Sequence, residues 1–319
     1  MIPAAVLRIC GRPPLIEEWR PPVPGAGEVP IKVAAAPITP LDLLCASGTS
    51  YFGTPALPYV PGVQGVGHRE DGTPVWFATS AGMRPGHGSM AAAVSVPYVD
   101  VVPLPAGVPL SLIAALGLSA VAAHAALTRT GGLTEGDQVV VLGAGGVVGQ
   151  AAIQLALLGG AARVIAVARS EQAREQAILL GADEAVPFLP DDDPITLADR
   201  LRDVAGPVDL VLDPVFGVPA AAALRVLRTG GRIVNLGSAA GATAPIDSAT
   251  LRSGSLQVLG YTNNQLSVGE RAESLSVVAD HAAAGRLTVA HEVVPFASIA
   301  DAWNRQAAGA TNGRIVLLL

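Results

Sequence analysis

The stretch Gln138–Ala152, QVVVLGAGGVVGQAA, constrains this chain more than any other. Val139 to Leu142 form an unbroken apolar run and read as a buried parallel strand. Glycines follow at Gly143, Gly145, Gly146 and Gly149, and an apolar helix is expected from Gln150 to Leu158. Glycines let a backbone reverse tightly and let a ligand approach it closely. The start of the helix then directs unpaired N–H groups and a positive dipole end at an anion. The groups expected to meet a pyrophosphate are Gly143, Ala144, Gly146, Val147 and Val148. Gly149 would let the helix pack close to the strand.

A glycine turn can also do no more than pack a helix on a strand, so its context matters. The next strand, Arg163–Ala168, arrives after a helix-length gap and completes a βαβ unit. Strand-like runs recur at Val208–Asp213, Arg232–Leu236 and Leu256–Gly260. Helix-like runs separate them at Glu171–Leu180, Leu197–Val204 and Pro219–Leu227. This alternation predicts an α/β chain with a doubly wound parallel sheet that takes a dinucleotide at its carboxyl edge.

The 319 residues allow two domains with ample core. No run of about 18 apolar residues lacks a Gly, Pro or charge break, so no membrane span is expected. The opening MIPAAVLRICGRPP lacks a basic region followed by a long apolar core, so no secretory leader is expected. Cys10 and Cys45 are the only cysteines. They make no disulfide framework and no four-cysteine zinc site, which fits a reducing cytoplasm. The formal charge of −6 argues against a nucleic-acid partner. Asp191–Asp193 reads as a solvated acidic tip.

Up to about Pro109 the pattern differs, with short apolar runs cut by Pro and Gly. They lie at Ala4–Ile9, Pro30–Ala36, Gly62–Gly67, Pro74–Ala78, Gly88–Val96 and Val99–Pro103, and predict an irregular β-barrel. A helix from Ser111 to Leu127 leads into the α/β core. After it, helices are expected near Val268–Ala284 and Ser298–Ala308, then a strand at Arg314–Leu318. The expected organisation is a discontinuous domain, residues 1–115 with 262–319, around a nucleotide-binding domain of residues 116–261.

Several further segments carry a resemblance, in order along the chain. They are PYVPGVQGVG (Pro58–Gly67), GSMAAAVSVPYVDVVPLPAGV (Gly88–Val108), GLSAVAAHAAL (Gly117–Leu127), GPVDLVLDPVFG, LRTGGRIVNLGSAAG and the closing GRIVLLL. With the spacing of Gly143, Gly146 and Gly149, they make the chain similar to zinc-independent medium-chain dehydrogenase/reductases of the quinone oxidoreductase branch. Gln64 stands where that family usually has an acid. The resemblance implies a Rossmann domain joined to a GroES-like catalytic barrel. It also implies a homodimer paired through the last Rossmann strand, Leu256–Tyr261, whose edge needs protection.

Cofactor choice is read at the end of the second strand. An acid there accepts from the ribose hydroxyls and selects the non-phosphorylated dinucleotide. Here the strand ends Val167-Ala168-Arg169-Ser170, with no acid before Glu171. Arg169 offers a guanidinium fork, Ser170 a hydroxyl and Arg174 a second charge to a 2′-phosphate. The expected cofactor is therefore NADPH; the competing reading is a surface arginine at a strand end.

A catalytic zinc would need three protein ligands. Cys45 and His68 invite that reading. Yet Thr39 holds the position where the family's zinc enzymes carry Cys, and PYVPGVQGVG has no His followed by Glu. Reduction of a quinone or an activated C=C bond of a small-molecule substrate, without metal, is expected. Pro37–Gly53, PITPLDLLCASGTSYFG, resembles the family's substrate-side loop and places Thr39, Asp42 and Tyr51 at the chemistry. Tyr51 is the expected hydrogen-bond or proton donor, with a packed loop tyrosine as the alternative. Asp42 reads equally as a helix cap. Ser119 and His124 on the linking helix are further polar candidates, as are Asn263 and Asn264 after the last sheet strand. Gly237 and Ser238 lie at the carboxyl edge of another strand. Two rival functions stay open: a zinc-type alcohol dehydrogenase, and an NADPH-binding sensor or structural protein without turnover.

Overall fold

The computed structural model describes residues 1–311 and 313–319. The chain begins with an antiparallel ribbon, β1 (Ile2–Val6) and β2 (Leu15–Trp19). There follow β3 (Glu28–Pro37), α1 (Pro40–Ser47), β4 (Gln64–His68), β5 (Pro74–Ala78), β6 (Ala93–Pro97) and β7 (Val101–Pro103). α2 (Leu110–Ala125) then leads to β8 (Gln138–Leu142), α3 (Val147–Leu158), β9 (Arg163–Ala168), α4 (Glu171–Leu179), β10 (Glu184–Pro187) and α5 (Pro194–Ala205). Next come β11 (Val208–Asp213), α6 (Gly217–Leu224), β12 (Leu227–Asn235), α7 (Ser248–Gly254) and β13 (Gln257–Gly260). The chain closes with α8 (Val268–Ala283), β14 (His291–Pro295), α9 (Ile299–Ala307) and β15 (Arg314–Leu318). It divides into two compact units, residues 1–118 with 268–319, and residues 119–267.

The first unit is built on a seven-stranded mixed sheet, β14-β15-β3-β4-β5-β7, with β6 paired to β3. β3 alternates in and out, burying Ile31 and Val33 on either side of exposed Lys32. Those two residues join Val75, Phe77, Val94 and Val96 in one apolar cluster. β14 was not anticipated from the sequence. Its HEVVP run is short and mostly exposed, so it carries little apolar signal.

The second unit is a six-stranded, wholly parallel sheet in the order β10-β9-β8-β11-β12-β13. Val139–Leu142, Val164–Ala166 and Leu210–Leu212 are fully enclosed, as expected of strands covered on both faces. The succession reverses between β8 and β11, the point at which such sheets take ligands. The edge strand β10, EAVP, was also not anticipated; four residues beginning at an exposed Glu184 and ending at Pro187 carry no run to read.

The linking helix is broken, not continuous as the sequence suggested. Gly117 has φ +29° and ψ −130°. A Cβ there would lie 2.0 Å from Gln64 Oε1. That oxygen accepts the Leu118 N–H at 2.7 Å and Trp76 Nε1–H at 3.0 Å, so the buried Gln64 side chain satisfies backbone at the break. The helical stretch Leu110–Thr130 is nonetheless long and apolar enough, by length and composition alone, to cross a membrane. Most of it is buried within the fold, as in the core helix of a globular chain.

Candidate functional site

The glycine turn is shaped by close approaches. Gly143 has φ +62°, and a Cβ on it would lie 2.6 Å from Val215 Cγ1. A Cβ on Gly149 would lie 2.5 Å from the Gly143 carbonyl oxygen, so α3 packs directly on the turn. Gly146 is different. It is exposed, has ordinary φ, and its Cβ position meets only the Gly143 oxygen at 3.6 Å. Ala144 N–H is donated to Val167 and Gly146 N–H to Gly143, while Gln150 Nε2 ties the Gly145 carbonyl at 2.9 Å. No side chain caps α3. Its first N–H groups, at Val147 and Val148, have no acceptor one turn earlier, which fits an anion above Gly146.

At the end of β9, Arg169 is exposed. Ser170 is the N-cap of α4, its hydroxyl oxygen accepting Ala173 N–H at 3.2 Å. This narrows the role expected of Ser170, since only its proton remains to donate. Arg174 is half-buried and gives Nη1–H to the Arg169 carbonyl at 2.9 Å. No carboxylate ends β9.

The carboxyl ends of β11 and β12 are locked together by Asp213, which sequence reasoning missed. It is fully buried and accepts Val215 N–H at 3.0 Å, Phe216 N–H at 2.7 Å and Asn235 Nδ2–H at 2.9 Å. Burial raises its carboxyl above the ordinary value, against the pull of those donors. Asn235 also donates to the Gly237 carbonyl, and a Cβ on Gly237 would lie 2.4 Å from the Pro214 oxygen. Gly237 and the exposed Ser238 thus lie beside the loop after β11. The signal available was an Asp closing a strand directly before Pro214, with Gly217 four residues on. Asn263 Oδ1 accepts from the Tyr261 hydroxyl at 2.7 Å, and Asn264 is exposed. Ser119 and His124 are half-buried on α2.

In the first unit two of the three expected catalytic residues bond to each other. Thr39 and Asp42 form a capping box at the start of α1, with Thr39 Oγ1 accepting Asp42 N–H. Asp42 accepts from Thr39 N–H, Thr39 Oγ1–H, Gly62 N–H and Val63 N–H, all at 2.6–3.1 Å. Four donors saturate a carboxylate. Thr39 and Asp42 thus act as the cap of α1, and Asp42 ties that helix to the entry of β4. Tyr51 is 75% exposed, its ring tilted over Phe52 at 4.3 Å between centroids.

The sequence profile of the zinc-binding dehydrogenase family matches residues 147–279. The quinone oxidoreductase of Rattus norvegicus is 30% identical over 230 residues, covering 68% of this chain and 66% of that protein. The solved quinone oxidoreductase of Thermus thermophilus is 29% identical and covers 99% of this chain and 100% of its own, with a TM-score of 0.85. The chain belongs to the medium-chain dehydrogenase/reductase family, in its quinone oxidoreductase-like branch. Members of the family are oxidoreductases. A second kind of relative is a subunit of the phenolphthiocerol/phthiocerol polyketide synthase of Mycobacterium tuberculosis. It is 28% identical over 309 residues, 92% of this chain but 14% of that protein. The chain thus spans just under two thirds of the rat enzyme and a small part of the synthase.

The matching profile is named for zinc-binding dehydrogenases. Among the described residues no three His, Cys, Asp or Glu side chains come together. Cys45 is buried beneath Gly82, whose Cβ would lie 2.7 Å from Cys45 Cβ. Burial, helped by the Asp42 charge, pushes its thiol up to about 11. His68 ends β4, paired with Pro74 and Lys32.

Proposed function

We propose that this chain is a metal-free, NADPH-dependent reductase of quinones or of C=C bonds activated by a carbonyl. The observation that carries the cofactor is the exposed Arg169 guanidinium at the end of β9, where no acid competes for the ribose. The open face above Gly146 and the uncapped start of α3 fit the pyrophosphate. The structure from Thermus thermophilus is described with its NADPH complex, which supports the same choice. Bound there, NADPH would supply a hydride. The protein's part is to hold the dinucleotide and to stabilise charge growing on the substrate carbonyl oxygen.

With Thr39 and Asp42 committed to capping, Tyr51 is the donor we assign to that oxygen. Among the described residues its hydroxyl bonds to nothing else, and a phenol O–H can donate a hydrogen bond. We place the enzyme in the cytoplasm as a homodimer paired along β13, whose edge has no strand beyond it among the described residues.

The test is to follow NADPH oxidation over a panel of quinones, enones and enoyl thioesters. Turnover on at least one class supports the reading. NADPH bound tightly without turnover on any favours the sensor or structural alternative. Activity that depends on added zinc and is lost to a chelator favours an alcohol dehydrogenase.

A further inference from the structure

Phe216 has φ +56° and ψ −155°, a backbone region that glycine enters freely and a ring-bearing residue does not. Among the described residues Ser255 is the only other non-glycine with positive φ, and it merely closes α7. Phe216 is held in place on several sides. Asp213 accepts its N–H and that of Val215, Asn235 holds Asp213, and Ala240 N–H is donated to the Val215 carbonyl at 2.7 Å. Phe216 is half-buried and packs against the core cluster that includes Val208 and Val211 of β11. Core packing alone would be served by a residue in ordinary conformation.

The position in the sheet gives the strain a purpose. Val215 lies against Gly143, so the loop after β11 borders the phosphate turn. In this strand order a dinucleotide straddles the reversal between β8 and β11. Arg169 assigns the adenosine half to the β9 side, which leaves the nicotinamide half over β11 and β12. We propose that Phe216 is a specificity-determining residue of the dinucleotide site, its ring held at the carboxyl end of β11 to meet the planar nicotinamide. An aromatic face suits such a partner. The proposal rests on the dinucleotide reading above.

Two variants and two ligands test it. Phe216→Ala removes the ring and keeps the strain; Phe216→Gly removes both. NADPH is compared with 2′-phosphoadenosine diphosphoribose, which lacks nicotinamide. In both variants NADPH affinity is expected to fall about tenfold, while the analogue stays within about twofold. Phe216→Gly is expected to melt above Phe216→Ala. If both ligands are unaffected, or weaken in equal proportion, Phe216 is a core residue and this assignment fails while the dinucleotide reading stands. If Phe216→Gly melts no higher than Phe216→Ala, the strain argument fails. A wild-type protein that binds neither ligand overturns both readings.

Discussion

Arg174 donates from Nη1 to the main-chain carbonyl of Arg169 at 2.9 Å. Its guanidinium is thus engaged at the start of α4, while that of Arg169 makes no hydrogen bond or ion pair among the described residues. The two arginines are therefore unequal partners for a 2′-phosphate. Arg174→Ala is expected to weaken NADPH by less than about threefold, under 1 kcal/mol. A titration giving a loss as large as that of Arg169→Ala would show that Arg174 leaves its carbonyl on binding.

Gly146 and Gly149 differ in the room around them, open at the first and closed at the second. A side chain on Gly146 meets only one protein atom, at ordinary contact distance, so Gly146→Val should fold with little change in melting temperature. It should lose NADPH by more than about tenfold. Gly149→Ala puts a Cβ 2.5 Å from the Gly143 oxygen and should cost about 1–3 kcal/mol of stability. Thermal melts and NADPH titrations on both variants check the split. Normal NADPH affinity in folded Gly146→Val would refute the phosphate turn.

The strand, glycine turn and helix were legible because all three follow one another within Gln138–Leu158. What escaped the sequence depends on partners far along the chain. Asp42 reads as a helix cap in the sequence, but the sequence does not show that Gly62 and Val63, twenty residues on, also donate to it. The break in α2 at Gly117 needs Gln64 to receive the Leu118 N–H. β10 and β14 are short sheet edges, where one neighbour and little burial leave composition unconstrained. Phe216 carries no mark in the sequence that it sits at positive φ; that follows from Asp213 and Gly217 on either side of the turn.

Tyr51 and Thr39 should respond in opposite ways. Tyr51→Phe removes only a hydroxyl and should lower turnover on an enone about a hundredfold, with NADPH affinity unchanged. Thr39→Ala loses a helix cap, about 1 kcal/mol of stability, and should leave turnover per folded molecule within about threefold. Steady-state rates on folded protein decide between them. A fall of less than about threefold for Tyr51→Phe would make it a surface residue. An enone is required, because solvent can protonate a hydroquinone anion without help.

The β13 edge predicts assembly. Val258 is 46% exposed on a strand with one neighbour, β12. Pairing with its copy across a two-fold axis would cover that edge. Sedimentation should give twice the 32.1 kDa chain mass at micromolar protein, and Val258→Glu should shift it toward one chain. A wild-type mass of one chain would contradict the dimer.

Dissociation constants for NADPH and NADH, measured for the wild type and for Arg169→Ala by the same titration, bear most directly on the proposed function. A guanidinium on a phosphate is worth about 1.5–3 kcal/mol, or roughly ten- to hundredfold. The wild type should prefer NADPH by that margin. Arg169→Ala should lose the preference through weaker NADPH binding, with NADH nearly unchanged. A wild type that prefers NADH, or a variant that weakens both dinucleotides equally, would contradict the account.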